Sequence, residues 1–252
     1  MREVVRKGLR GALLGFGSAG IVLVASACDV KRYENTSLIE GKKLFVEKCG
    51  SCHTLARAGT KGIIGPNLDI AFANALQVGE RRSSIESVVH YQVKFPNPGG
   101  AMPANIIKND QEIDDVAAYV SYAADRPGQD TGLLATAVAP ATAATEAEKN
   151  GALTIDANPT GLLAYTVKTA TATPGPVTIT MHNAAPIQHN IAIQSGNSGA
   201  STGSTPIIAA TPILSTGGTA TLHVTLKAGV YTFFCQVPGH RAAGMWGTIT
   251  VK

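Results

Sequence analysis

Two short stretches of this 252-residue sequence carry residue types whose spacing suits metal chemistry. In the first, Cys49-Gly50-Ser51-Cys52-His53, two thiols separated by two residues can reach the two vinyl groups of one porphyrin. The histidine that follows can place its imidazole on the iron, so the spacing predicts a covalently attached c-type haem. Zinc would need two further ligands at matching spacing, and the chain has no second cysteine pair. The second stretch holds Cys235, His240 and Met245, with four residues between each. A thiolate, an imidazole and a thioether are three of the four donors of a mononuclear blue-copper site. A cysteine and a methionine can also simply fill a core, but the turn Pro238-Gly239-His240 has no core reason to lie between them.

Each set needs completing from elsewhere in the chain. For the iron, Met102 in Gly99-Gly100-Ala101-Met102-Pro103 is the only methionine of its half, and methionine with histidine is the usual electron-transfer pair on haem iron. His90 competes, but it lies in the helix-like run Ser84 to Lys94 and is expected to face outward or pack. For copper, the second imidazole must come from a separate strand, and His189 precedes the apolar run Asn190-Ile191-Ala192-Ile193. His182 and His223 are alternatives; both alternate with the apolar positions of their strands and should point to solvent. With iron held by His53 and Met102, and copper by His189, Cys235, His240 and Met245, no open position is left for a substrate. Lewis-acid catalysis is therefore not expected and no catalytic residue is assigned.

The elements that must position these residues divide the chain in two. Residues 37–126 are helix-like and well charged, with Ile113, Val116, Ala117 and Val120 at helical spacing after the capping candidates Asn109 and Asp110. Pro66, Pro96, Pro98, Gly99, Gly100 and Pro103 break the middle into loops. From residue 150 to 252 charges nearly vanish and the pattern alternates, as in Val177-Thr178-Ile179-Thr180-Met181 and Leu222-His223-Val224-Thr225-Leu226. Seven or eight short half-buried strands are expected, which implies a sandwich or small barrel. Between the halves, residues 127–149 are rich in Ala, Thr and Pro without periodicity and are expected to form a flexible linker spanning about 25 to 30 Å.

On these motifs the helical half resembles class I cytochromes c over its whole length. The resemblance rests on the CGSCH motif, the Met102 loop, Gly41 and Phe45 ahead of the motif, and Gly65-Pro66-Asn67-Leu68 after it. It implies an all-α fold in which the Pro66 carbonyl accepts the His53 ring proton and Tyr119 of the closing helix packs against the first. The strand-rich half resembles cupredoxins: His189 is followed by Asn190, and Tyr231, Phe233 and Cys235 form a Tyr-x-Phe-x-Cys strand. This implies an all-β Greek-key sandwich with type 1 copper, in which Asn190 steadies the ligand loop and its backbone contacts the thiolate. The Cys-to-His spacing is longer than in plastocyanin and resembles that of rusticyanin-like and sulfocyanin-like members. A binuclear copper centre would need a second loop cysteine, and a copper nitrite reductase a second cupredoxin domain; neither is present.

Location follows from the start of the chain. Arg2, Arg6, Lys7 and Arg10 against Glu3 supply three of the four net positive charges, so the remainder is nearly neutral and no nucleic-acid partner is expected. The uncharged run 11–27 after these bases reads as an export signal, and Ala25-Ser26-Ala27-Cys28 resembles a bacterial lipobox, with Cys28 lipidated and residues 28–36 a tether. A plain cleavage site or an uncleaved anchor are the alternatives. The expected function is single-electron relay through haem and copper on the outer face of the cell membrane, between redox proteins of a respiratory chain, with no small-molecule substrate. An accessory or sensing subunit of a respiratory complex, and a copper-delivery protein, are the other readings.

Overall fold

A computed structural model describes residues 35–139, 144–201 and 205–252. The expected export signal and Cys28 lie outside the described residues, as does most of the expected tether. In chain order the first unit comprises α1 (Leu38–Leu44), β1 (Thr54–Leu55), β2 (Thr60–Lys61), α2 (Leu68–Ala71), α3 (Ala73–Gln77), α4 (Arg82–Lys94), α5 (Asp110–Ala123) and α6 (Gly132–Thr136). The Ser37 hydroxyl accepts from the Glu40 N–H, and the Asn109 side chain accepts from the Gln111 N–H, so α1 and α5 both start on side-chain caps. α1 crosses α5 at Gly41, where an added Cβ would lie 2.0 Å from the Asp115 carbonyl oxygen. That approach sets Phe45 against Tyr119, their rings tilted at 53° with centroids 6.3 Å apart. Ile113, Val116, Ala117 and Val120 of α5 are buried beneath them, as their spacing predicts.

The second unit holds β3 (Ala144–Ala147), β4 (Ala152–Thr154), β5 (Val167–Ala172), β6 (Gly175–His182), β7 (Ala192–Ser195), β8 (Ile207–Ala210), β9 (Thr219–Leu226), β10 (Gly229–Phe234) and β11 (Trp246–Val251). A six-stranded sheet in the order β3-β5-β11-β10-β7-β8 faces a three-stranded sheet, β4-β6-β9, across one apolar core. Alternation places Val177, Ile179 and Met181 of β6 and Leu222, Val224 and Leu226 of β9 inward. β10 lies between β11 and β7 in the larger sheet and is buried on both faces from Tyr231 to Phe234, which is why that run reads as continuously apolar. Among the described residues no helix is long and apolar enough to cross a membrane.

The segment expected to be a linker is instead largely built into the two units. The Asp130 side chain is 1% exposed, with Lys42 Nζ at 2.9 Å and Arg57 Nη1 at 3.0 Å. It also accepts from the Tyr119 hydroxyl at 2.9 Å. α6 follows at once, its Leu134 carbonyl accepting from Lys42 Nζ. Farther on, β3 pairs in parallel with β5. Composition hides this because one buried carboxylate among Ala, Thr and Pro leaves no periodic trace, and because β3 owes its form to the edge of β5.

A buried carboxylate shared by two cations and a phenol is costly to remove, because the cations stay behind uncompensated. Asp130→Ala is expected to lower the stability of the helical unit by about 3 to 5 kcal/mol, measured by guanidinium unfolding followed in haem absorbance. A loss under about 1 kcal/mol, the range of an exposed pair, would show the cluster to be effectively solvated.

Candidate haem and copper sites

The chain turns out of α1 through a π-helical segment, Phe45–Cys49, which carries Cys49 to the wall of a cavity of about 440 Å³. Cys49, Cys52, His53 and Met102 all line this cavity, together with apolar Phe45, Leu68, Val89, Val93, Val116 and Val120. His53 Nδ1 lies 2.9 Å from the Pro66 carbonyl oxygen. The carbonyl can only accept, so Nδ1 carries the proton and Nε2 is left as the donor to a metal. Gly65 makes this possible: a Cβ there would lie 2.5 to 2.8 Å from the His53 ring atoms. Burial, and then the neighbouring Cys52, push the free Cys49 thiol up to about 12. The free thiol therefore remains protonated; with haem c bound, Cys49 and Cys52 would hold it through thioether bonds. An apolar cavity bounded by a thiol pair, an oriented imidazole and a thioether fits haem c. Gln92 Nε2 is 3.8 Å from the Met102 sulfur, too long for more than a weak contact.

His90, weighed against Met102, does not line the cavity. It is fully buried with Nδ1 2.6 Å from Asp114 Oδ1, so it packs rather than facing outward.

In the second unit His189, Cys235 and His240 come together from two places in the chain. Cys235 Sγ lies 3.8 Å from His189 Nδ1 and 3.5 Å from His240 Nδ1, and the two nitrogens are 3.1 Å apart. A triangle with these edges has a centre about 2 Å from each donor, close to the bond length of imidazole to a first-row metal ion. Met245 is fully buried, and its backbone closes the loop: its N–H donates to the His240 carbonyl and its carbonyl accepts from the Cys235 N–H. His182 is half-buried and His223 exposed, both away from this cluster. Two imidazoles, a thiol and a buried thioether fit type 1 copper.

The support around these donors includes residues that no motif singled out. The Asn190 carboxamide accepts from the Gln236 N–H at 2.8 Å and donates to Gln236 Oε1 and the Thr211 carbonyl. The Tyr165 hydroxyl donates to the Asn190 carbonyl at 2.6 Å. Arg241, 4% exposed beside His240, donates to Gly199 O, Gln194 Oε1 and Ser198 Oγ, and lies 3.9 Å over the Phe234 ring. Only Asn190 was legible, through its place after His189. A lone loop arginine or a loop tyrosine carries no spacing signal.

Comparison with known proteins agrees with this geometry. The model of the cytochrome c family matches residues 38–124, and that of copper-binding proteins of the plastocyanin/azurin family matches residues 152–252. The chain joins a cytochrome c domain to a cupredoxin domain. Solved structures similar to it include reduced auracyanin from the photosynthetic bacterium Roseiflexus castenholzii, 31% identical, covering 42% of this chain and 99% of that one at a TM-score of 0.36. Rusticyanin in its reduced form is 26% identical over 46% of this chain and 87% of its own, with a TM-score of 0.37. Auracyanin A from Chloroflexus aurantiacus is 28% identical over 40% and 98%, with a TM-score of 0.33. No curated protein matches. The cytochrome and cupredoxin domains together make this an electron-transfer protein of covalent haem c and type 1 copper.

Burial sets the protonation of the copper donors. It lowers His189 to about 3, helped by His240, and lowers His240 to about 4. It raises the Cys235 thiol, although the Asn190 and Val237 N–H groups pull the other way. Both imidazoles therefore wait neutral. Below pH 6.5 the unfolded chain takes up protons that the copper-free fold refuses until about pH 4 and 3. Stability of the copper-stripped domain should therefore fall with pH across that window, by up to about 1.4 kcal/mol per pH unit per histidine. Thermal melts of chelator-stripped protein at stepped pH test this; a profile flat between pH 6.5 and 4 would mean the imidazoles are solvated.

Proposed function

We propose that this protein relays single electrons between redox proteins of a respiratory chain, held on the outer face of the cell membrane through a lipidated Cys28, and that it is not an enzyme. One observation carries the reading: the copper donors are sealed inside the domain, His189 and Met245 at 0% exposure, Cys235 at 1% and His240 at 5%. Haem iron and copper each supply a one-electron couple when bound. The protein's part is to keep the donors still while charge changes. The Pro66 carbonyl fixes His53, and the Asn190 carboxamide ties Cys235's neighbour to the His189 loop. Sealed donors also speak against copper delivery, which favours exposed and exchangeable ligands.

The relay predicts that Cys235→Ser abolishes the intense thiolate-to-copper band and leaves the haem spectrum unchanged. After rapid reduction of one centre in the native protein, the other should be reduced at a rate independent of protein concentration. A rate that scales with concentration would make the domains independent carriers.

Anchoring has its own test. Cys28→Ala is expected to release the protein from the membrane fraction or to leave a longer precursor. Unchanged membrane retention with an intact leader would replace the lipid by an uncleaved anchor.

A further inference from the structure

The loop between β4 and β5 reaches out of the cupredoxin domain, and two adjacent leucines in it go to different cores. Leu163 belongs to the cupredoxin core, whereas Leu162, 8% exposed, packs into the core of the cytochrome domain. The loop holds this shape by its own bonds: the Asn158 side chain accepts from the N–H and the hydroxyl of Thr160, and the Asn158 N–H donates to the Ala164 carbonyl. Gly161 has φ +87°, and a Cβ there would lie 3.0 Å from Glu47 Cα and 3.1 Å from the Val46 carbonyl oxygen. Its backbone thus lies directly against the segment that carries Cys49.

The two ligand loops also face each other closely. A Cβ built on Gly239, the residue before His240, would sit 3.7 Å from Cγ1 of both Ile63 and Ile64, so the bare glycine faces these two exposed isoleucines across roughly the width of a methyl group. Ile64 lines the haem cavity beside Gly65, which itself lies against the His53 ring. The residue before the copper ligand His240, the Ile63–Ile64 pair and the haem wall therefore follow one another with about one methyl group of space at Gly239.

We propose that the two domains act as one docked body, with Leu162 as the anchor and the Ile63–Ile64 contact with Gly239 as the place where the electron crosses between the haem and copper loops. This rests on the relay reading and goes further by making the crossing a fixed contact rather than a chance meeting of tethered domains. In the step itself one centre is oxidised as the other is reduced, with no bond or proton exchanged. Tunnelling falls steeply with distance, so a permanent contact between the loops determines the rate.

The test uses the full chain with both metals bound, photoreduced at one centre, in buffers of increasing viscosity, together with small-angle X-ray scattering. Docked domains should give a transfer rate independent of both protein concentration and viscosity, and a compact single-lobed particle. Leu162→Asp places a charge in the cytochrome core contact. It should keep both visible spectra, enlarge the particle, slow transfer on the order of tenfold and make it viscosity-dependent. Gly161→Gln, aimed at Glu47, should do the same by a different route. Ile63 does not line the haem cavity, so Ile63→Asp should slow transfer without enlarging the particle. A native rate that is independent of concentration but falls with viscosity overturns the docked body and leaves the relay standing. A native rate that scales with concentration overturns the relay itself. Unchanged scattering and rate in both Leu162→Asp and Gly161→Gln also overturn the docking.

Discussion

The hydrogen bond from the Gln236 N–H to the Asn190 carboxamide, 2.8 Å long, extends a sheet that has already ended. β7 and β10 pair antiparallel as far as Ala192 with Phe234. Beyond that point the strands must separate so that His189 and Cys235 can turn inward to one centre, and backbone pairing can no longer hold them. A side chain takes over the role of the ladder: Asn190 bonds across to both the backbone and the side chain of Gln236. Were that bridge lost, the two donors would keep their places in sequence but not their 3.8 Å separation. The haem site solves the same problem with less, since CxxCH already brings its thiols and imidazole together. There the fold adds the Pro66 carbonyl, and the bare Gly65 that lets the ring approach it.

Burial gives these bonds their force. In water an imidazole or a thiol can trade partners freely, but a sealed donor set has no solvent to fall back on. Copper-free, the site prefers two neutral imidazoles and a protonated thiol, and only the thiol must lose a proton before it can serve as a thiolate. Arg241 adds a buried cation one residue from His240, held by neutral oxygens and an aromatic face.

What the sequence disclosed and what it withheld divide along physical lines. Local chemistry was legible: CGSCH, the Met102 loop, the Cys235 to Met245 spacing and the period-two strands all depend on residues near in sequence. Of the long-range features, His189 was legible because alternation sent His182 and His223 outward, leaving one candidate. Asp130 was not, because its meaning comes from Lys42, Arg57 and Tyr119, far apart in the chain. Nor was β3, which is a strand because β5 offers it an edge; among the described residues it adds to the eight strands β4 to β11, which meet the seven or eight expected. The division of Leu162 and Leu163 between two cores was not legible either, since nothing in a single sequence says that neighbours will serve different cores.

Whether the two domains stay together depends on how a small contact compares with the entropy of a tether. Burying one leucine side chain contributes about 1.5 to 3 kcal/mol. Holding two bodies together against an effective concentration near 1 mM, as for a short flexible linker, requires about 4 kcal/mol before half the molecules are docked. Leu162 alone therefore falls short. Asp130, however, pins the chain to the cytochrome domain, and β3 pins it to the cupredoxin sheet, so the free segment is much shorter than residues 127–149 would suggest. A shorter tether raises the effective concentration, and the close packing of Gly161 on Val46 and Glu47 adds to what Leu162 supplies. The segment that looked like a spacer thus acts in the opposite sense: by being built into both domains, it lowers the entropic cost of keeping the two ligand loops in contact.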